Sequence, residues 1–189
     1  RPGQAKIDES AVTLLAPLPG GGGHNSRTLR IGPDGRIYLS LGISGNCSEQ
    51  YLGAGYSFDD QRGGVMVLRE EGGKARWEVY ASGLRNPVGM DFNPKDRTLW
   101  TNDNQVDGMG DDKPAGELNR ISKAGEDFGF PYYGGGKTRT DEYAKDTPPA
   151  NIVFPEVEQA AHAADLAVRQ RGTLRQPQTP AAERRLPPA

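Results

Sequence analysis

Two stretches with the same plan decide the fold: HNSRTLRIGPDGRIYLS at residues 24–40 and RNPVGMDFNPKDRTLWT at residues 85–101. In each, two short alternating segments flank a turn that contains a proline, which is the pattern of a β-hairpin. A spacing of 61 residues places His24 on Arg85. The same spacing aligns the hydrophobic positions and the turns, including Asn25 with Asn86, Ile31 with Phe92 and Pro33 with Pro94.

Further predicted strands complete each copy. The segments GGVMVLRE (63–70) and RWEVYASG (76–83) follow the first hairpin, and ELNRIS (117–122) follows the second. No helical periodicity interrupts them. Two unrelated hairpins in a β-sandwich would give a similar pattern, but a sandwich need not repeat its loop chemistry. We therefore favour an all-β propeller, because short strands that recur at a fixed period are typical of propeller blades.

The predicted organisation is a partial β-propeller over residues 1–166. Its parts are two blades at about residues 24–83 and 85–150, and the start of a third at 151–166. The segment AVTLLAPLP at residues 11–19 is interpreted as one strand, with its prolines at an edge or exit. Residues 167–189 are rich in arginine and proline and have no strand pattern, so we predict that they are disordered.

The composition excludes several classes of function. Only 34% of the 189 residues are hydrophobic, while 26 glycines and 15 prolines fit short strands joined by turns. The formal net charge of −2 gives no bulk attraction to nucleic acid or anionic membranes. We expect no transmembrane helix and no signal peptide, because no long apolar run is present. The single cysteine, Cys47, excludes an internal disulfide and a cysteine-only zinc site.

The matched pair His24 and Arg85 is the first candidate for chemistry. Equivalent positions in successive blades converge on the channel of a propeller, so these two side chains are predicted to lie close together. A neutral imidazole accepts a proton near pH 7, and a guanidinium stabilises negative charge that develops on an oxygen. In the alternative interpretation, His24 caps a turn and Arg85 pairs with a carboxylate such as Asp103.

The loop at residues 102–112 is the second candidate. It carries four aspartates together with asparagine and glutamine, and such oxygens are the ligands that Ca²⁺ prefers. An EF-hand does not fit, because the glutamate required at its twelfth position is replaced by Pro114. A solvated acidic loop explains the composition equally well. The HExxH, GxSxG and GxGxxG motifs are absent, which argues against zinc hydrolases, serine hydrolases and nicotinamide-type dinucleotide binding.

These motifs together resemble a known family. The segments SGLRNPVGMDFNP, TNDNQVDGMGDDKPAGELNRI and FGFPYYGG resemble the soluble quinoprotein sugar dehydrogenases, the glucose/sorbosone dehydrogenase family, with the sorbosone-type branch as the nearest match. The resemblance covers roughly residues 20–166. It implies a six-bladed propeller with pyrroloquinoline quinone (PQQ) over the channel mouth and Ca²⁺ bridging quinone and protein. It also implies a sugar substrate, an external electron acceptor and a periplasmic or secreted protein.

The resemblance implies a role for individual residues. His24 is the expected general base that takes the substrate hydroxyl proton while hydride passes to the quinone C5. Arg85 is expected beside the reactive quinone oxygen. The other expected cofactor contacts are Asn86, Asp103 and Asn104. The expected calcium ligands are Asn104 and Gln105, through their backbone carbonyls, and the acidic pair Asp112 and Glu117.

The chain departs from the family in two ways. A family member has six blades and this sequence supplies about two and a half, so later lysine and arginine contacts to PQQ are missing. After Leu166 the expected glycine and aromatic strand are replaced by arginine, glutamine and proline. A truncated or frame-shifted reading would produce this change. A non-catalytic propeller that acts as a binding module and an inactive fragment therefore stay open as alternatives to an enzyme.

Overall fold

The computed structural model describes residues 8–19, 23–47, 62–110 and 113–159. Apart from a 3₁₀ turn at Glu9–Ala11, the described elements are all strands. They are β1 (Leu29–Ile31), β2 (Ile37–Leu41), β3 (Gly64–Glu71), β4 (Lys74–Ser82), β5 (Pro87–Phe92), β6 (Leu99–Asp103), β7 (Gly116–Ile121), β8 (Glu126–Asp127), β9 (Tyr133–Gly135), β10 (Thr138–Arg139) and β11 (Val157–Gln159).

Both predicted hairpins form. Strands β1 and β2 pair antiparallel, with Ile31 opposite Ile37, and Gly35 adopts a φ of 77° in the turn. Strands β5 and β6 pair in the same way, with Phe92 opposite Leu99. The second turn is one residue longer. The two copies are therefore 61 residues apart on their first strands and 62 apart on their second strands.

Each hairpin is the start of a larger sheet. In the first sheet β1, β2, β3 and β4 lie side by side in chain order, and β8 adds a parallel strand beside β4. In the second sheet the order is β5, β6, β7 and β11. Strands β9 and β10 form a small separate hairpin. Two successive antiparallel meanders confirm the predicted all-β, propeller-type fold.

The fourth strand of the second sheet differs from the sequence interpretation. Residues 151–166 were expected to open a third blade, but Val157–Gln159 pairs antiparallel with β7. In the first sheet β4 follows β3 after a short turn at Gly72 and Gly73. In the second, the β8–β10 excursion intervenes, so the chain reaches the open edge of β7 only later. The blade boundaries as a whole stay a prediction.

The N-terminal segment is a correction. Residues 12–19 form no strand, and Val12, Leu14 and Leu15 are exposed. The prolines at 17 and 19 lack the N–H that a ladder needs, and Ala16 instead packs against the first sheet. The predicted disordered tail at 167–189 lies outside the described residues. No helix in the described ranges is long and apolar enough to span a membrane.

The two sheets share a core. Strand β2 is buried on both faces, because Tyr38 packs toward the second sheet while Leu39 and Leu41 pack on the opposite side. The shared cluster consists of Tyr38, Val65, Val67, Ala81, Leu84, Met90, Leu99, Ile121 and Phe128. A smaller cluster of Ile43, Val106 and Phe130 lies below the loops that leave β2 and β6. These clusters fix the edge of the two sheets at which the candidate site is found.

Candidate functional site

The site lies where β1 and β5 begin and β2 and β6 end. In an antiparallel hairpin the start of the first strand and the end of the second lie at one edge. Backbone hydrogen bonds join the two copies at this edge: the Ile43 N–H donates to the Arg85 carbonyl at 2.9 Å. Within the second copy, the Asn104 N–H donates to the Asn86 carbonyl at 3.2 Å. His24 contacts the same edge through Gly42, which adjoins both His24 and Asn86.

His24 is half-buried, and one of its ring nitrogens is engaged. Nδ1 lies 2.9 Å from the Ile43 carbonyl oxygen. A carbonyl only accepts, so Nδ1 carries the proton and Nε2 of the neutral ring keeps its lone pair. Burial lowers the pKa of His24, and the Arg85 guanidinium lowers it further, against the raising effects of the Ile43 carbonyl and Asp107. The ring is therefore a neutral proton acceptor at pH 7.

Arg85 is held by four hydrogen bonds, and its side chain is only 3% exposed. Nε and Nη2 donate to the backbone oxygen and Oδ1 of Asn46, both at 2.6 Å. Nη1 donates to the Asn104 carbonyl at 3.2 Å, and Nη2 also donates to Asp107 Oδ2 at 3.0 Å. The guanidinium thus pairs with Asp107, whereas the alternative interpretation paired it with Asp103.

Asp103 lies beneath the site and is fully buried. Its carboxylate accepts the backbone N–H groups of Arg85 at 2.9 Å and Asn86 at 2.6 Å, and Nε2 of Gln105 at 2.8 Å. Burial raises the pKa of Asp103 to about 6, against the lowering effect of these donors. The structure therefore shows Asp103 fixing the backbone at Arg85 and Asn86.

The predicted acidic pair is only half described, because Asp112 lies outside the described residues. Glu117 is buried on β7, directly opposite Asp103 in the register. Its carboxylate accepts the Gly136 N–H at 2.7 Å and the Asn119 side-chain amide at 3.0 Å. Both oxygens of Glu117 thus bind internal donors that link β7 to the β9–β10 hairpin.

Three amide oxygens at the site are buried without a hydrogen-bond partner among the described residues: Asn86 Oδ1, Asn104 Oδ1 and Gln105 Oε1. An unpaired buried oxygen is costly, so such atoms point to a ligand. In the described ranges, no group of three or more His, Cys, Asp and Glu residues could hold a metal ion. Neutral oxygens of this kind suit a hard cation that brings further oxygen ligands with its partner molecule.

Sequence reasoning missed Asn46. It belongs to the polar loop after β2, and nothing in its local sequence separates it from other loop asparagines. Its Nδ2 donates to the Asp107 carbonyl at 2.9 Å, and its Oδ1 accepts the Asp107 N–H at 2.8 Å. Asp107 itself was noted only as one of four aspartates in the second loop. The two loops are therefore joined by a residue pair that the motifs did not reveal.

Gly42 provides a direct test of this packing. A Cβ atom there would lie 2.6 Å from His24 Cβ and 2.8 Å from Asn86 Oδ1. We expect Gly42→Ala to lower the free energy of unfolding by about 1–3 kcal/mol, because overpacking forces neighbours to move. Thermal unfolding measures the loss, and NMR reports the displaced His24 ring. The adjacent-loop variant Ser44→Ala is the control. Unchanged stability and unchanged His24 resonances in Gly42→Ala would contradict the described packing.

Comparisons with known proteins agree with this picture. The profile of the glucose/sorbosone dehydrogenase family matches residues 4–173. Quinoprotein glucose dehydrogenase B of Acinetobacter calcoaceticus is 29% identical over 175 residues, covering 80% of this chain and 35% of that protein. An uncharacterized protein of Borreliella burgdorferi is 37% identical over 92 residues, covering 48% of this chain and 24% of that protein. This chain therefore spans about a quarter to a third of these relatives.

Solved structures show the same fold. The iodide structure of a Trichoderma reesei carbohydrate-active enzyme of family AA12 superposes with a TM-score of 0.65 at 18% identity. The match covers 82% of this chain and 48% of that chain. The calcium structure from the same family gives a TM-score of 0.63, also at 18% identity. At this level of identity the likeness supports the fold alone.

Proposed function

Because the chain belongs to the glucose/sorbosone dehydrogenase family, we propose that it forms part of the active site of a PQQ-dependent sugar dehydrogenase. The substrate is an aldose or a sorbosone-type sugar. Its reacting carbon loses a hydride and its hydroxyl oxygen loses a proton, and the electrons pass on to an external acceptor. The protein acts in the periplasm or outside the cell. The Acinetobacter relative, named a quinoprotein glucose dehydrogenase, supports this assignment.

The observation that carries the proposal is the tautomer of His24. The 2.9 Å contact between Nδ1 and the Ile43 carbonyl leaves Nε2 as the basic atom. The lowered pKa of His24 keeps the ring neutral at pH 7, so that it is ready to accept a proton. In the proposed reaction Nε2 takes the hydroxyl proton of the sugar while the C–H bond breaks and the carbonyl product forms.

Arg85 and Asn86 flank this base. The Arg85 guanidinium stabilises negative charge that develops on an oxygen in the transition state. Its four protein hydrogen bonds hold it in place before the reaction, so no reorganisation is needed when the charge appears. Asp103 contributes from below by fixing the backbone of both residues.

The donor set at the site fits the cofactors in kind. When bound, PQQ supplies the quinone that accepts the hydride. Arg85, Asn86 and Asn104 are the residues proposed to contact it, with Asp103 as their support. For Ca²⁺, Asn104 and Gln105 are the proposed ligands, and their unpartnered buried amide oxygens support this choice. Asp112 and Glu117 stay predicted ligands, although both oxygens of Glu117 already accept internal hydrogen bonds.

The test is reconstitution of the purified chain with PQQ and Ca²⁺, followed by sugar-dependent reduction of a dye with glucose and a sorbosone-type sugar. We expect a PQQ absorbance change on binding and dye reduction that requires sugar. Binding without reduction, both here and in a protein that carries all six blades, would favour the binding module. Neither binding nor reduction here, with both present in the six-bladed protein, would favour the inactive fragment.

Removing the charge of Arg85 should change the pH dependence. The guanidinium lowers the pKa of His24, so Arg85→Met raises that pKa. Less neutral imidazole is then present at a given pH, and the acid limb of kcat moves to higher pH. Profiles from about pH 5 to 8 measure the shift. Arg30→Met, which removes an exposed arginine paired with Asp91, is the control. A limb that stays fixed or moves to lower pH would contradict the proposed base.

A further inference from the structure

Asn46 is the side chain that ties the loop after β2 to the loop after β6. Its amide pairs with both backbone groups of Asp107: Nδ2 donates to the carbonyl at 2.9 Å and Oδ1 accepts the N–H at 2.8 Å. These two bonds fix which end of the amide is oxygen, because only one orientation satisfies both backbone groups of Asp107. The orientation of the Asn46 side chain is therefore determined by the loop that it contacts.

The same residue binds the guanidinium edge of Arg85 at two points. Nε donates to the Asn46 backbone oxygen and Nη2 donates to Asn46 Oδ1, both at 2.6 Å. Two bonds from one residue fix the guanidinium plane as well as its position. Asp107 also contacts Nη2, but its side chain is 84% exposed, and an exposed carboxylate is a weak, screened partner. Asn46 is thus the more effective of the two anchors.

We propose that Asn46 is the positioning residue that holds the Arg85 guanidinium beside His24, an inference that rests on the proposed function of that pair. The arrangement requires an amide at position 46. A carboxylate there would lose the donor to the Asp107 carbonyl and place a second negative charge beside Asp107. An alanine would lose every side-chain contact and free both loops.

The consequence is a guanidinium committed to one direction. Four of its five N–H groups donate to protein oxygens, and within the described part of the chain the remaining Nη1 N–H has no protein acceptor. The fixed plane aims that group, and a small misplacement of such a donor costs about 100-fold in rate. Asn46 therefore acts through Arg85, without touching the reacting atoms itself.

The first test needs no cofactor. His24 is titrated by NMR in the full chain, with His162→Gln used to assign its resonance. Arg85 lowers the pKa of His24 and Asp107 raises it, and these are the charged groups that act on the ring in the described part of the chain. All variants are therefore compared in Asp107→Asn protein, where the guanidinium is the remaining charge. We expect Asn46→Ala to raise the pKa of His24 toward the value in Arg85→Met.

The control is Asn93→Ala, which removes an asparagine that caps the distant β5–β6 turn through the Lys95 N–H. It should leave the titration of His24 unchanged. If Asn46→Ala titrates like the unsubstituted chain, Asn46 does not hold the guanidinium and the proposal is overturned. If Arg85→Met also leaves the titration unchanged, the guanidinium is not held beside His24 and the proposal fails for that reason.

The second test is a double-mutant cycle on dye reduction with saturating PQQ and Ca²⁺. We expect Asn46→Ala to lower kcat at least about 10-fold with little change in KM. The double variant Asn46→Ala/Arg85→Met should be no slower than Arg85→Met alone, because both act through one group. Losses that multiply would overturn the proposal. If no variant reduces dye, the proposed function fails for this chain, while the titration still decides the role of Asn46.

Discussion

Replacing His24 with glutamine is expected to lower kcat for sugar-dependent dye reduction about 10²–10⁴-fold, the usual contribution of a positioned general base. Glutamine keeps a polar side chain of similar reach, but its amide does not accept a proton near pH 7. The effect should fall on kcat rather than on PQQ binding, because the proposed cofactor contacts come from Arg85, Asn86 and Asn104. Steady-state kinetics and a PQQ titration on the same preparations separate the two quantities.

A matched control comes from the same segment. Ser26 is exposed two residues after His24, so Ser26→Ala should retain full activity and the same melting temperature. The acid limb that His24 gives to the pH profile should also disappear in His24→Gln. A His24→Gln protein that binds PQQ and turns over at more than about a tenth of the normal rate would remove His24 from its proposed role.

Much of the fold followed from local chemistry. The two hairpins were predictable because proline and glycine fix the turn geometry and the flanking residues alternate. The fourth strand of the second sheet was not, because its partner β7 is distant in sequence and the pairing depends on which sheet edge stays open. The segment at 11–19 has the apolar residues of a strand, yet no neighbouring strand edge is available to it in the described structure.

The site was predictable only where the repeat marked it. A spacing of 61 residues brought His24 and Arg85 together on paper, and the structure joins their segments through the Ile43 N–H and the Arg85 carbonyl. Asn46 escaped notice because its role depends on a loop-to-loop contact, which leaves no local signature. The longer second turn also shifts the spacing to 62 after the hairpins. A fixed offset therefore loses its meaning in these loops.

The second large effect is expected in the shared core. Leu99 begins β6, is 1% exposed, and packs in the cluster that both sheets build. We expect Leu99→Ala to lower the free energy of unfolding by about 2–5 kcal/mol, because the change removes buried methyl groups and leaves a cavity that the strands cannot close. Urea unfolding followed by circular dichroism measures the loss.

This substitution also tests how the fold supports the site. Strand β6 runs from Leu99 to Asp103, whose carboxylate fixes the backbone of Arg85 and Asn86. If the two sheets form one cooperative unit, Leu99→Ala should also weaken the protection of the Arg85 and Asn86 amides in hydrogen exchange. The half-exposed Val79→Ala, on the first sheet, should cost less than about 1 kcal/mol and leave that protection intact. Equal losses in the two variants would mean that the sheets do not share the described core.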